Sequence, residues 1–369
     1  MFEIQKENYK EVKESCIDLL NILQNITSVK INEKEFKIEY FLSADYAMLR
    51  ILMGHKNSNA AEGCLWCTAN LRQPPNNELD QIPISRTLND ELNDHQEPIL
   101  KFIEYKNIVV DLLHLNLRVS EKFFELLKFK LTRIDGNDGD IIENRPLLHK
   151  FMIFLRDECN ITNPFYSSKK NIDKIKFRSF NGNEYLKIYS TIFKEYLEYD
   201  ETTKKNILKR KNFSDIFTEN YEPQYDNFLN ESNLWFEFYQ IYTEIKKYNI
   251  IDLDKLNTDL KNLLETFLTV NEINNNSNTI FPYLHIFRFH LIEMIQKYGN
   301  INKFSTQSLE KLNDFSTQYY HLGTNKKNFL SQLISKRNRI EFSNLSGNID
   351  EFLHLDAAYN DEVDSDDEE

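Results

Sequence analysis

PYLHIFRFHLIEMIQKYGNINKFSTQSLEKLN, residues 282–313, decides how this chain folds. Pro282 suits the first turn of a helix, where its missing N–H is one the turn leaves unused. Apolar positions then recur at helical spacing through His285 and His290 to about Tyr298. Glu310, 20 residues past His290, falls on a further helix over roughly 305–320, and a last helix is expected over 325–340. The counterpart of this segment lies near the other end of the chain. Cys64-Leu65-Trp66-Cys67 places two thiols three residues apart, and Asp45 precedes Cys64 by 19 residues. Two thiols and two imidazoles make a complete tetrahedral zinc set. Such a site would pull Asp45, before the first pair, and Glu310, after the second, toward one place.

Spacing alone leaves zinc and a plain core evenly matched. His285 and His290 are five apart, the upper edge of common zinc spacing. On an ideal helix that separation turns about 140° around the axis, so both rings could not easily reach one ion. Either the helix is distorted there, or His285 sits in the loosely wound turn after Pro282. A single histidine on an apolar helix is more often a core residue. A redox role for the CxxC pair is weak, since no βαβ unit surrounds it.

Working outward, residues 8–24 carry apolar positions at helical spacing. The runs Ser28–Ile31 and Phe36–Leu42 alternate, and read as a hairpin or as a strand after an irregular segment. Asp45 would then lie just past the second strand, with a helical pattern resuming at Tyr46–Met53. Residues 54–107 look loop-rich, with prolines at 74, 75, 83 and 98. Ile108–Arg133 reads as an amphipathic helix, followed by more helices to about Tyr199. Trp235–Leu268 is again helical, and Asn271–Asn278 reads as a low-complexity loop.

Composition excludes some classes. The 369 residues are 41% hydrophobic, enough for a sizeable core, and only 8 Gly and 8 Pro favour a mostly helical chain. No apolar run approaches the roughly 18 residues of a membrane span, and no secretory signal core opens the sequence. Four cysteines, one pair plus Cys16 and Cys159, are not a disulfide framework, which points to a reducing compartment. The net charge of −13 comes mainly from residues 350–369, which hold ten of the 58 acids and no Lys or Arg. The body is therefore close to neutral, with basic clusters at Lys169–Arg178 and Lys204–Lys211. Those clusters read as solvated helix and loop surface, or as phosphate contacts.

The run Asp45–Cys67 (D-x18-C-x2-C), the segment Asp111-Leu-Leu-His114 and residues 282–313 resemble the catalytic core of DDE transposases. The likeness is to the Transib-like group that includes the V(D)J recombinase catalytic subunit. The resemblance covers roughly residues 36–320. It implies that Cys64, Cys67, His285 and His290 bind a structural Zn²⁺, and that Asp45 and Glu310 are two of three catalytic acids. Asn313 then follows the third acid as in the family. The implied fold is mainly α with a small β element (α+β): an incomplete ribonuclease-H-like core with a large helical insertion, about 108–280, and a zinc staple. The implied chemistry is DNA strand cleavage and transfer with two Mg²⁺ or Mn²⁺ ions held by carboxylates.

The sequence departs from the family at the first acid, which belongs on a strand upstream of the helix preceding Asp45. The chain starts inside that helix or one short element before it. Asp18 is a poor substitute, and Asp111 reads as a helix cap rather than a metal ligand. The expectation is one domain over 1–345 with an acidic disordered tail over 346–369. Function is expected to be that of a domesticated or truncated, inactive transposase core. The alternatives are a zinc-stabilised helical interaction module without catalysis, or a nuclease that takes its missing acid from a partner chain. Expected partners are DNA and a second copy or a separately supplied N-terminal region, with no membrane. The expected location is nuclear, otherwise cytoplasmic.

Overall fold

Asn32 and Glu33 both adopt positive φ, 48° and 63°. That is the signature of a two-residue type I′ turn, whose twist matches a right-handed hairpin. The turn joins β1 (Ser28–Ile31) to β2 (Lys34–Lys37), pairing Ile31 with Lys34 and Val29 with Phe36. Strand β2 thus starts and ends earlier than the expected Phe36–Leu42 run. Asp45 does not follow that strand. It follows an isolated parallel bridge between Leu42 and Ile108.

The computed structural model describes residues 9–55, 64–71, 83–87, 96–136, 146–168, 171–200, 205–210, 213–217, 228–247, 252–275 and 280–308, with isolated positions 332 and 335. The chain divides into two compact units, Met1–Ser305 and Thr306–Glu369. Almost all of the second lies outside the described residues, including Glu310, Asn313, the expected helices over 305–320 and 325–340, the domain limit at 345 and the acidic tail.

The first unit is mainly helical, and among the described residues its strands form three separate two-stranded antiparallel hairpins. Helix α1 (Tyr9–Leu23) precedes the first hairpin, and α2 (Tyr46–Leu52) follows Asp45. Gly54 then turns the chain at φ +68°, with the Gln96 carbonyl oxygen 2.1 Å from where a Cβ would sit. No L side chain fits that approach. A 3₁₀ turn (Tyr105–Asn107) leads into extended Ile108–Val110, and α3 (Leu112–Asp135) starts after Asp111. The expected helix from Ile108 therefore begins four residues late, because Ile108 is taken by the bridge.

Helix α3 is the centre of the core. Leu115, Val119, Phe123, Leu127 and Leu131 are fully buried, and so are Asn116 and Ser120 on the same helix. Around it pack α4 (Pro146–Asp157), α5 (Gly182–Ile192), α7 (Leu229–Lys246) and α8 (Leu253–Asn275), while α6 (Phe213–Phe217) packs on α4 and α7. Aromatics fill the junctions. Phe124 meets Trp235 at 4.5 Å between ring centroids and also touches Phe151, Phe177, Phe180 and Tyr185. Offset and edge-on pairs of this kind add to simple burial.

Two features correct the expected helical run. Residues 165–177 form β3 (Phe165–Ser168) and β4 (Asn171–Phe177), and 195–210 form β5 (Glu195–Asp200) and β6 (Lys205–Arg210). Among the described residues, 171–177 of the first basic cluster and 205–210 of the second therefore lie on strands rather than on helix or loop. Helix α8 also runs to Asn275, with Asn271 buried, through half of the expected low-complexity loop. Leu260, Leu263, Leu264, Phe267 and Val270 keep the buried face going. Two further helices, α9 (Pro282–Phe289) and α10 (Leu291–Tyr298), meet at His290. Among the described residues, no helix is long and apolar enough to cross a membrane.

Candidate metal centre

The break at His290 resolves the spacing problem. Its backbone (φ −119°, ψ −19°) ends α9 and starts α10, so the two histidines do not share one regular helix. Pro282 opens α9 as expected, and His285 sits in the turn just beyond it. The ring centroids of His285 and His290 come within 5.2 Å.

The thiols reach the same place from a knuckle that leads away from α2. An antiparallel bridge pairs Cys67 with Ser85. The Arg86 N–H donates to the Trp66 carbonyl at 2.8 Å, and the Arg86 Nε–H donates to the Cys64 carbonyl at 3.0 Å. The Trp66 indole N–H donates to the Ile108 carbonyl at 2.9 Å and its ring stacks on Tyr46. Trp66 thereby ties the knuckle to the bridged strand and to α2.

Cys64 Sγ lies 3.3 Å from His290 Nε2, and Cys67 Sγ lies 3.2 Å from His285 Nε2. All four ligand atoms fall within 4.8 Å of one another, and all four residues are buried. Zn–S near 2.3 Å and Zn–N near 2.0–2.1 Å give a tetrahedral S···N edge of about 3.5 Å. The quartet matches that edge and could hold a metal ion such as zinc. Protonation divides the two thiols. A hydrogen bond from the Cys64 thiol, helped by both imidazoles, lowers Cys67 to about 2, while burial pushes Cys64 up. Burial lowers His285, which keeps its ring neutral with a lone pair available.

Asp45 is half-buried at the N-cap of α2, where it accepts the Ala47 N–H at 3.3 Å. It also accepts the Tyr283 hydroxyl at 2.8 Å, two residues before His285. Burial, and then the neighbouring Asp45 charge, push the Tyr283 phenol well above its ordinary value. Arg118 on α3, which hydrogen-bonds Glu121, feels the Tyr283 and Asp45 charges. The structure thus brings the four predicted metal ligands together and places Asp45 one hydrogen bond from the segment that carries two of them.

Asp111 caps α3, accepting the Leu113 N–H at 3.2 Å and contacting His114 Nδ1 at 2.5 Å. The capping role expected of it holds. Leu42 and Ile108, the bridged pair, each precede an aspartate by three residues, and each aspartate caps the helix that follows.

Arg86, Tyr283 and Arg118 carry no signal in the sequence. Each is an isolated residue whose importance comes from what the fold sets beside it. Compared with models of known protein families and with curated proteins, the chain matches none.

Proposed function

We propose that this chain is a zinc-stapled core related to DDE strand-transferases, incomplete for catalysis on its own. The observation that carries the proposal is the Cys64–Cys67–His285–His290 quartet, assembled from two segments over 200 residues apart in the order and spacing that the resemblance implies. The parallel bridge supports it further. Two strand segments side by side, each running into an aspartate and a helix, suit one edge of a ribonuclease-H-like sheet. The ion in this reading is Zn²⁺, closed by four protein ligands and therefore structural rather than catalytic.

Phosphoryl transfer of this kind needs carboxylates around two divalent ions. The sequence offers Asp45 and Glu310 for that role, with Mg²⁺ or Mn²⁺ as the ions, and no match for the first acid. DNA is the proposed partner, approached by the basic hairpins. The test is incubation with Mn²⁺ and a nicked or hairpin-forming duplex. The expected result is salt-dependent DNA binding without strand cleavage, since phosphate contacts release counterions. Robust cleavage that Glu310→Ala abolishes would refute the inactive reading.

One observation favours a second reading, a zinc-stabilised interaction module. Asp45 already caps α2 and accepts the Tyr283 hydroxyl, which gives it a structural task. Absence of any DNA binding in the same experiment selects that reading.

A further inference from the structure

The hairpin β1–β2 stands apart from the core. Every residue of both strands is exposed, and neither strand packs substantially against any other named element. An isolated two-stranded hairpin is marginal in water, and needs a third strand or a covered apolar face to persist. This one also has a sided face. Val29, Ile31 and Phe36 lie on the same side, with Lys34 opposite Ile31, and the three apolar residues are 42%, 54% and 48% exposed. Ser28, Lys30, Glu35 and Lys37 lie on the other.

The register fixes which backbone groups are spare. The Ile38 N–H donates to the Thr27 carbonyl at 2.9 Å, so Thr27 and Ile38 form a hydrogen-bonded pair. Antiparallel ladders alternate. Phe36 and Lys34 therefore point their N–H and C=O groups toward β1, while those of Glu35 and Lys37 point out of the hairpin. Among the described residues no strand pairs with that outer edge.

We propose that the outer edge of β2 pairs with the same edge of a second copy of this chain, antiparallel and centred on Phe36. A two-fold axis at Phe36 sets Glu35 opposite the partner's Lys37, and Lys37 opposite the partner's Glu35. Both are hydrogen-bonded pairs, so the four spare backbone groups on each side are satisfied. Both also bring opposite charges face to face, which favours a cross-strand pair, whereas like charges there oppose it. Phe36 meets its own copy across a non-hydrogen-bonded pair, where side chains approach most closely. The result is a four-stranded sheet, β1-β2-β2-β1, with Val29, Ile31 and Phe36 of both copies on one face and Lys34 at its margins. The edge of β1 does not offer this. Centring there sets Lys30 against Lys30, or Lys30 against Ser28, with no ion pair in either register. A two-fold contact of this type is isologous and closes at a dimer.

Sedimentation velocity on the full chain tests it. The expected mass is twice 44.1 kDa. Glu35→Lys leaves lysine facing lysine at both cross-strand positions, and Lys37→Glu leaves glutamate facing glutamate at both. Each variant alone is expected to be monomeric, with unchanged far-ultraviolet circular dichroism because the hairpin lies outside the core. Mixed in equal amounts they are complementary, and are expected to recover the doubled mass. The double variant Glu35→Lys/Lys37→Glu is expected to dimerise by itself. A wild-type chain that stays at 44.1 kDa up to its solubility limit overturns the proposal. So does a single variant that remains dimeric, or a mixture that does not recombine.

Discussion

Removing the metal from the Cys64–Cys67–His285–His290 quartet should come close to unfolding the chain. The inner ligand pair, Cys67 and His285, is separated by 218 residues, and the outer pair, Cys64 and His290, by 226. Treated as a cross-link, a closure of that length removes unfolded-state entropy worth about 5 kcal/mol at 25 °C. Net stabilities of whole domains run about 5–15 kcal/mol, so the loss is a third or more of the total. Binding energy at a structural zinc is folding energy, and chelation acts on the same equilibrium. The assay combines zinc content per chain with thermal unfolding before and after a chelator. One zinc per chain is expected, with a large fall in midpoint on chelation. Cys64→Ser should lose the metal and reproduce the fall, because a hydroxyl does not replace a thiolate ligand. Cys159→Ser is the control. Cys159 is fully buried but outside the quartet, so that variant should keep its zinc. A chain purified without zinc, or a midpoint that chelation leaves unmoved, refutes the reasoning.

The buried pair between α3 and α7 is the next test. Lys130 Nζ lies 2.6 Å from Glu231 Oε2, with side chains only 6% and 3% exposed. Glu231→Gln strands a buried ammonium and should cost about 3–5 kcal/mol in urea unfolding, while Lys130→Met/Glu231→Leu should recover most of it. A cost for Glu231→Gln below about 1 kcal/mol would show the ammonium escaping to water. At the start of α5, Glu184 completes a capping box with Asn181 and pairs with Arg178. Burial opposes its charge, but the Arg178 and Asn181 hydrogen bonds outweigh that and hold the carboxyl below its ordinary value. A lowered folded pKa contributes stability above the unfolded value, and that contribution is lost as pH falls through the folded one. Glu184→Gln should therefore cost about 1 kcal/mol near neutral pH, and the difference in midpoint should close in acid below about pH 4. An equal difference at both pH values would assign the effect to packing.

The hairpins β3–β4 and β5–β6 show where period-based inference ran out. NIDKIKF and KNILKR alternate, but lysines occupy so many positions that the pattern also suits a solvated helix. What selects the strand is a partner a few residues away in register, a pairing that a one-dimensional scan does not register. Asn271 to Asn275 failed in the opposite sense. An asparagine-rich segment favours a loop by propensity, yet the apolar face of α8 carries the helix through it.

By itself the sequence offered Cys64, Cys67, His285 and His290 as candidate metal ligands, with spacing balanced between zinc and a plain core until the resemblance to a transposase core favoured zinc. It also determined the mainly helical class, through the 3.6-residue spacing of its apolar positions, and the capping of α3 by Asp111. Tertiary structure alone decided that His285 and His290 reach the same thiols, because that depends on a helix break at His290 which no local propensity requires. It alone decided that Asp45 follows a bridge to Ile108 rather than the hairpin, and that Tyr283, Arg118 and Arg86 are neighbours of the centre. Local periodicity is set by contacts within a few residues. A site closed across more than 200 residues is set by packing, which only the folded chain contains.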